Sequence, residues 1–350
     1  MVMRSVIVAI ALMLALILSR ASLSMNPFSA CLLLDGKRLR QFEMPSLKDA
    51  KTYNTSLVLF QHHVIFVSRI SNFSICGGMG PSLPPYRSET IFWMQTPEGP
   101  GRCQVKAKYP EGSSSTYFGY EDPRIIILEN EVCMICSVIH QGSSAICVLS
   151  FGASDLLQEL QRSAQTGRLA HLAPTSIEGP LRYKNEAGHE KNWSPFVYNG
   201  DLHLIQSIQP LVILRLRDGV LQEVRTEPLC FVPASLKSFH LRGGSSAVPW
   251  TESRYIAVGH IVDGELIFSK SYYSFFYVFE TEPFRIVALS EPFKLEGARI
   301  EFVVGLLVVE NEIWVTGGVM DCESVLWRLT RARVEALLRD SRAPAAGSST

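Results

Sequence analysis

One unit recurs five times along this chain of 350 residues: a polar head, about ten residues containing a turn, and an alternating apolar strand that ends on a polar residue. The copies are headed by Tyr53-Asn54, Glu121-Asp122-Pro123-Arg124, Lys191-Asn192-Trp193-Ser194-Pro195, Arg242-Gly243-Gly244 and Glu301-Phe302, and they end near Arg69, Ser137, Ser207, His260 and Asp321. Successive heads lie roughly 50 to 70 residues apart, longer than the ~40 to 50 of common propeller repeats and enough for four strands with loops. The expectation is an all-β fold, a five-bladed β-propeller with short peripheral helices. A two-sheet sandwich also strings short strands at such intervals, but it gives no reason for a polar cluster at the same point of every unit. In a propeller the first strand of each blade lines one central channel, so the heads converge.

Between the heads lie further strand-like runs at 144–151, 211–216 and 266–279, with Asn199-Gly200 and Asp218-Gly219 as hairpin turns. Residues 154–166 and 330–340 break the pattern with helix formers behind a capping-type residue and predict two short helices. Arg4 followed by an apolar run over 6–18 is too short for a usual spanning helix of ~20 residues. It reads as a signal peptide or signal anchor covering 1–21, with entry to the secretory pathway and with membrane contact only through such an anchor. The propeller is expected over 22–340 as a single domain, and the small polar tail 341–350 as disordered.

Hydrophobic residues make up 47% and charged ones 19%, which excludes a disordered chain. With 33 basic and 33 acidic residues the overall field favours neither nucleic acid nor an anionic membrane, so any anion site is local. Eight cysteines suit an oxidising lumen. Cys133-Met134-Ile135-Cys136 has metal or redox spacing, yet inside a strand its two thiols face opposite sides and read as buried structural residues. No cofactor or metal is implied. Sequons at Asn54, Asn72 and Asn192 are glycosylation candidates; Asn54 and Asn192 sit in heads that would be shielded, whereas Asn72 would be available.

The heads carry the chemistry. In Glu121-Asp122-Pro123-Arg124 adjacent acids in a strand face opposite ways, so one carboxylate can enter the channel while the other is held by a neighbour such as Arg124. A carboxyl group in a partly dry channel suits a general acid toward a glycosidic oxygen; the same tetrapeptide alone also fits a turn with a surface ion pair. Lys191, Asn192 and Trp193 combine a cation, an amide and an indole, as sugar binding needs, although the hexapeptide equally fits a blade edge with Trp193 in the core. Arg242-Gly243-Gly244 joins a cation to unhindered backbone that an oxyanion could approach, or forms a tight turn. His260, at a strand end, fits a core histidine as well as a site one.

With those heads in order, the chain resembles the five-bladed mannoside phosphorylases of glycoside hydrolase family 130 and their eukaryotic relatives that transfer β-1,2-linked mannose. The resemblance runs over about residues 50 to 330 and is most specific at Glu121-Asp122-Pro123-Arg124, supported by Asn54, Arg69, Lys191-Asn192-Trp193, Arg242-Gly243-Gly244, His260 and Gly317-Gly318-Val319-Met320-Asp321. It implies an inverting phosphorylase or mannosyltransferase acting on β-mannosides with Asp122 as general acid or base. It further implies Arg69, Lys191, Arg242 and His260 as phosphate or sugar-phosphate ligands, and Asn54, Arg69, Glu121, Arg124, Lys191, Asn192, Trp193 and Asp321 on the sugar. The partners so implied are an oligosaccharide or sugar phosphate, with inorganic phosphate as co-substrate. Two departures, the Gly-Gly-Val-Met-Asp form of the fifth unit and the secretory leader, leave the donor open. A five-bladed glycoside hydrolase pairing Asp122 with Glu301 or Asp321, and a non-catalytic glycan-binding propeller, are the rival readings.

Overall fold

Apolar residues at period two, broken by Asn-Gly and Asp-Gly turns, leave the chain little choice but antiparallel hairpins, each burying both faces between neighbouring sheets. The computed structural model describes residues 32, 34–43, 47, 50–73, 85–184, 190–229, 231–264 and 269–339. The expected leader at 1–21 and tail at 341–350 lie outside the described residues. The first strand, β1 (Lys37–Arg38), precedes the first blade, made of β2 (Lys51–Phe60), β3 (His63–Ser71), β4 (Tyr86–Thr96) and β5 (Gly99–Val105), with β6 (Tyr117–Phe118) parallel to β4. The second comprises β7 (Glu121–Leu128), β8 (Glu131–His140) and β9 (Ser143–Gly152); helix α1 (Ala153–Thr166) and β10 (Ala170–Leu172) return to β5 before β11 (Ser176–Leu181) completes it.

The third blade is β12 (Ser194–Tyr198), β13 (Asp201–Ser207), β14 (Leu211–Arg217) and β15 (Val220–Glu227). In the fourth, β16 (Arg242–Gly243) and β17 (Val248–Thr251) share the inner edge of β18 (Arg254–Asp263), followed by β19 (Ser271–Thr281) and β20 (Phe284–Leu289). The fifth runs β21 (Glu301–Val309), β22 (Glu312–Val319), β23 (Glu323–Thr330) and is completed by β1, pairing Lys37 with Leu326, before α2 (Arg331–Arg339). The N-terminal strand therefore finishes the last blade and closes the five-bladed propeller. Strands of successive blades touch around the ring, β2 with β7, β7 with β12, β13 with β16, β17 with β21 and β21 with β2.

Both expected helices form where helix formers cluster. α1 turns Leu156, Leu157, Leu160 and Ala164 to the core between the first two blades, the i, i+3, i+4 pattern of an amphipathic helix, and packs on β5 so closely that a Cβ on Gly101 would stand 2.1 Å from the Leu160 carbonyl. Its N-cap is Gly152 without a side-chain cap, whereas Thr330 caps α2 through the Arg333 amide at 3.2 Å. Both expected turns take left-handed pairs, with φ of 52° and 76° at Asn199-Gly200 and 51° and 73° at Asp218-Gly219. Cys133 belongs to the core between the second and third blades and Cys136 to that between the first and second, both free thiols, as strand parity requires.

Candidate active site

At the heads the regular ladder is interrupted. Register shifts fall between Tyr53 and Ser56 and between Glu121 and Arg124, and Asn54, Asp122 and Asn192 take left-handed φ of 51°, 50° and 63°. Asn and Asp tolerate this region better than other residues with a Cβ, and a bulge there re-aims the following side chains. These residue types are thus fixed by backbone geometry as well as by chemistry. The bulge also cancels strict alternation: Glu121 and Asp122 both line the channel, where an unbroken strand would have turned one away. Antiparallel pairing then carries the far end of each hairpin to the same level, with Tyr53 opposite Arg69, Arg242 opposite His260, and Glu301 opposite Val319, two residues short of Asp321.

The result is a cavity of about 540 Å³ at one end of the axis, lined by residues from all five blades. Directly after Asn54 in the chain, buried hydroxyls pair with one another: Thr55 bonds Ser68 and Ser324, each at 2.6 Å, and Ser56 accepts the Ile125 amide at 3.3 Å. Asn54, Arg69, Glu121, Asp122, Lys191, Asn192, Arg242, His260 and Asp321, all expected from the sequence, meet in the lining. Asn54 donates to Asp122 Oδ1 at 2.7 Å; Arg69 donates to the same oxygen at 3.1 Å and to Glu121 Oε1 at 2.6 Å, with its Nε on Ser88 at 2.9 Å. Lys191 Nζ stands 3.6 Å from Glu121 Oε2.

Charge is distributed unevenly among these groups. Burial works to raise the Asp122 pKa, but Arg69, Lys191, the Asn54 hydrogen bond and Arg124 outweigh it and hold the group below the ordinary carboxylate value. Asp321 goes the other way: burial, reinforced by Asp122 and Glu121, pushes it up to about 6. His260 is 2% exposed, stacks on Tyr272 at 5.6 Å, and is driven down to about 3 by burial and by Arg242 and Arg124. Its Nδ1 has no hydrogen-bond partner among the described residues, and so low a pKa makes it a neutral imidazole at neutral pH. Arg69 is saturated by carboxylates. Arg242 and Lys270 line the cavity without an acidic partner at ion-pairing distance among the described residues.

Two expected contacts lie elsewhere. Trp193 is 1% exposed and sits in the core between the second and third blades, its indole donating to Glu190 Oε2 at 2.9 Å; the left-handed turn at Asn192 sends the amide to the cavity and the indole inward. Arg124 lies behind the lining, where it donates to the Asp122 carbonyl at 2.8 Å, to Asn192 Oδ1 at 3.1 Å and, through Nε, to the Gly244 carbonyl. It ties three blades together and positions Asp122. Glu301 is likewise absent from the cavity, its carboxylate accepting the amides of Leu295 and Ala298 at 2.6 Å each. Gly243 and Gly244 serve blade contact: a Cβ on the first would fall 2.2 Å from the Asn192 carbonyl and one on the second 3.0 Å from the Val303 carbonyl.

Of the sequons, Asn54 is buried and bonded to Asp122, and Asn192 accepts from Arg124. Asn72 donates to the Pro85 carbonyl at 3.0 Å and accepts the Arg87 amide at 2.7 Å. Sequence reading missed Lys270, Tyr272, Phe302 and an aromatic group of Phe73, Tyr86 and Tyr117, all of which line the cavity. Only Phe302 had a visible signal, its place in the fifth head. Among the described residues no three His, Cys, Asp or Glu side chains cluster as a metal site, and no helix is long and apolar enough to cross a membrane.

This is the five-bladed fold of mannoside phosphorylases and glycoside hydrolases. The β-1,2-mannobiose phosphorylase of Listeria innocua, solved with β-1,2-mannobiose, superposes with a TM-score of 0.58 at 12% identity over 91% of this chain and 98% of its own. A glycosyl hydrolase from Bacteroides ovatus gives 0.55 at 13% identity, covering 89% and 93%. A structure from work on family 130 hydrolases that target β-1,2 mannosidic linkages in Candida mannan gives 0.56 at 13% identity, with the same coverage. No family model matches the chain, and no curated protein is significantly similar to it in sequence.

Proposed function

We propose that this protein is a carbohydrate-active enzyme acting on β-mannosides, an inverting glycoside phosphorylase or mannosyltransferase with Asp122 as the general acid/base. The observation that carries the reading is the Asp122 carboxylate, held by Asn54 and Arg69 in a cavity that also presents Arg242 and Lys270, neither with an acidic partner among the described residues. Two spare positive charges match a phosphate or sugar-phosphate dianion, which needs charge-assisted donors. Lys191, shared with Glu121, is a third ligand, and the neutral His260 contributes a hydrogen bond.

In synthesis, the carboxylate of Asp122 takes the proton of an acceptor hydroxyl as its oxygen attacks the anomeric carbon of a sugar phosphate; the anomeric C–O bond to phosphate breaks and configuration inverts. In phosphorolysis a phosphate oxygen attacks that carbon, and protonated Asp122 gives its proton to the leaving glycosidic oxygen. A depressed pKa makes the base form, from which synthesis starts, the resting form of Asp122. A bound phosphate dianion opposes Arg242, Lys270 and Lys191, raises Asp122 and favours the acid form. One group can therefore serve both directions.

Hydrolysis is the second reading, and Asp321 is the observation in its favour, as a second buried carboxyl group in the same cavity that could activate a water. Turnover of β-1,2-mannobiose with and without inorganic phosphate, together with synthesis from mannose 1-phosphate and mannose, tests these readings. Phosphate-dependent cleavage with net inversion is expected; phosphate-independent release of mannose would give the site to hydrolysis. We further propose a secretory-pathway location, supported by the apolar segment at 6–18 and by the disulfide at Cys322.

A further inference from the structure

The cavity has two chemically different walls. Arg242 and Lys270 come from the fourth blade, across the axis from the first. On the side of the first blade stand Phe73, Tyr86 and Tyr117, which lack any charge and play no part in holding Asp122. Tyr86 and Tyr117 are register partners on parallel β4 and β6, with ring centroids 4.9 Å apart and planes at 38°; Phe73 meets Tyr86 edge-on at 5.7 Å.

Each part of this group is held in advance of any ligand. Asn72 clamps the segment through Pro85 and Arg87, the Phe73 amide donates to Ser71 Oγ at 3.1 Å, and the Phe73 carbonyl accepts the Tyr53 hydroxyl at 3.1 Å. β6 can lie against β4 because residue 119 is glycine: a Cβ there would stand 2.1 Å from the Ser88 carbonyl, at a φ of 132°. Tyr117 nevertheless remains 45% exposed, an aromatic face kept open at the rim by fixed backbone. Large uncharged rings left in contact with water cost free energy that a flat, weakly polar ligand surface recovers.

Resting on the proposed activity, we infer that Phe73, Tyr86 and Tyr117 form the acceptor subsite, a platform on which the pyranose ring beyond the scissile linkage lies with its C–H face against the Tyr117 ring. The negative face of an aromatic ring attracts such polarised C–H groups, and the half-exposed Tyr117 ring, backed by Tyr86 at 4.9 Å, offers one. The ligand is thereby oriented: its phosphate end toward the fourth blade, its acceptor end toward the first, and the reacting oxygen near Asp122 between them. The wall reads the acceptor as a saccharide and leaves the donor to the cations.

The test is calorimetric titration of the full chain with β-1,2-mannobiose and, separately, mannose 1-phosphate, in wild type, Tyr117→Ala, Tyr86→Ala and Tyr117→Phe. Each alanine variant should weaken mannobiose about five- to tenfold, leave mannose 1-phosphate within about twofold, and Tyr117→Phe should bind as wild type because the ring face, not the hydroxyl, makes the contact. Equal weakening of both ligands, or of neither, overturns the platform. If wild type binds neither compound, a glycan array separates the two ideas: Tyr117-dependent capture of another saccharide keeps the platform and removes the mannoside reading, and no capture removes both.

Discussion

Arg69 and Asp122 stand face to face across the join of the first two blades, Nη1 to Oδ1 at 3.1 Å, while the other terminal nitrogen of Arg69 holds Glu121 at 2.6 Å. One buried guanidinium therefore compensates two adjacent carboxylates, which explains how an acidic pair can line one cavity side by side. Replacing Arg69 by Met should cost about 3–5 kcal/mol, because both carboxylates would lose their buried guanidinium and keep only Lys191 at 3.6 Å from Glu121 and the Asn54 amide on Asp122. Asp122 should then titrate at higher pH, since burial would act with less opposition. Urea unfolding gives the first quantity, and carbon NMR of labelled Asp side chains the second; an unchanged Asp122 resonance across pH would contradict the pairing.

Asp122→Asn tests the chemistry without disturbing the backbone. Asn tolerates the left-handed φ of 50°, keeps an oxygen for Asn54 and Arg69, and cannot exchange a proton at neutral pH. Turnover should fall roughly 100- to 10,000-fold with the native circular dichroism retained. Asp122→Ala is the poorer variant, because it adds backbone strain of about 1–2 kcal/mol.

His260 and Asp321 make opposite pH signatures. The folded-state pKa of His260 is depressed from 6.5 to about 3, so its contribution is present above pH 6.5 and is lost as pH falls toward 3. That of Asp321 is raised from 3.8 to about 6, so its contribution is full below 3.8 and is lost as pH rises through 6. In wild type the two partly cancel between pH 4 and 6. Relative to wild type, Asp321→Asn should gain stability with rising pH over that window and His260→Asn should lose it, as urea midpoints at pH 4.5 and 7 would reveal. Parallel slopes in the two variants would reverse this assignment.

Gly318 guards the position of Asn54. A Cβ there would lie 2.1 Å from Asn54 Oδ1 and 3.0 Å from its backbone nitrogen, and the Asn54 amide is what fixes Asp122 at 2.7 Å. Gly318→Ala should lower stability by about 1–3 kcal/mol through overpacking and turnover on the order of 100-fold through displacement of Asp122. Turnover kinetics beside a melting curve separate the two effects.

Trp193 makes the contrasting case. Trp193→Ala should destabilise the protein by about 3–5 kcal/mol and leave mannobiose affinity of the folded protein unchanged. A selective loss of sugar binding at full stability would return the indole to the site.

Much of this molecule was written in its sequence. Period-two runs with Asn-Gly and Asp-Gly turns determined hairpins, five polar heads determined five blades, and Asn54, Asp122 and Asn192 met in one cavity because strands of equal role run to one axis. Strand parity also separated Cys133 from Cys136 correctly. Tertiary structure decided what parity cannot express. The left-handed bulge at Asp122 turned Glu121 into the cavity beside it, gave the pair to Arg69 rather than to its neighbour Arg124, and the same turn at Asn192 sent Trp193 to the core. Lys270 and the wall of Phe73, Tyr86 and Tyr117 carried no repeat signal, because they lie in connections or at the ends of strands outside the five heads, and which of these side chains reach the rim is settled only when the ring closes.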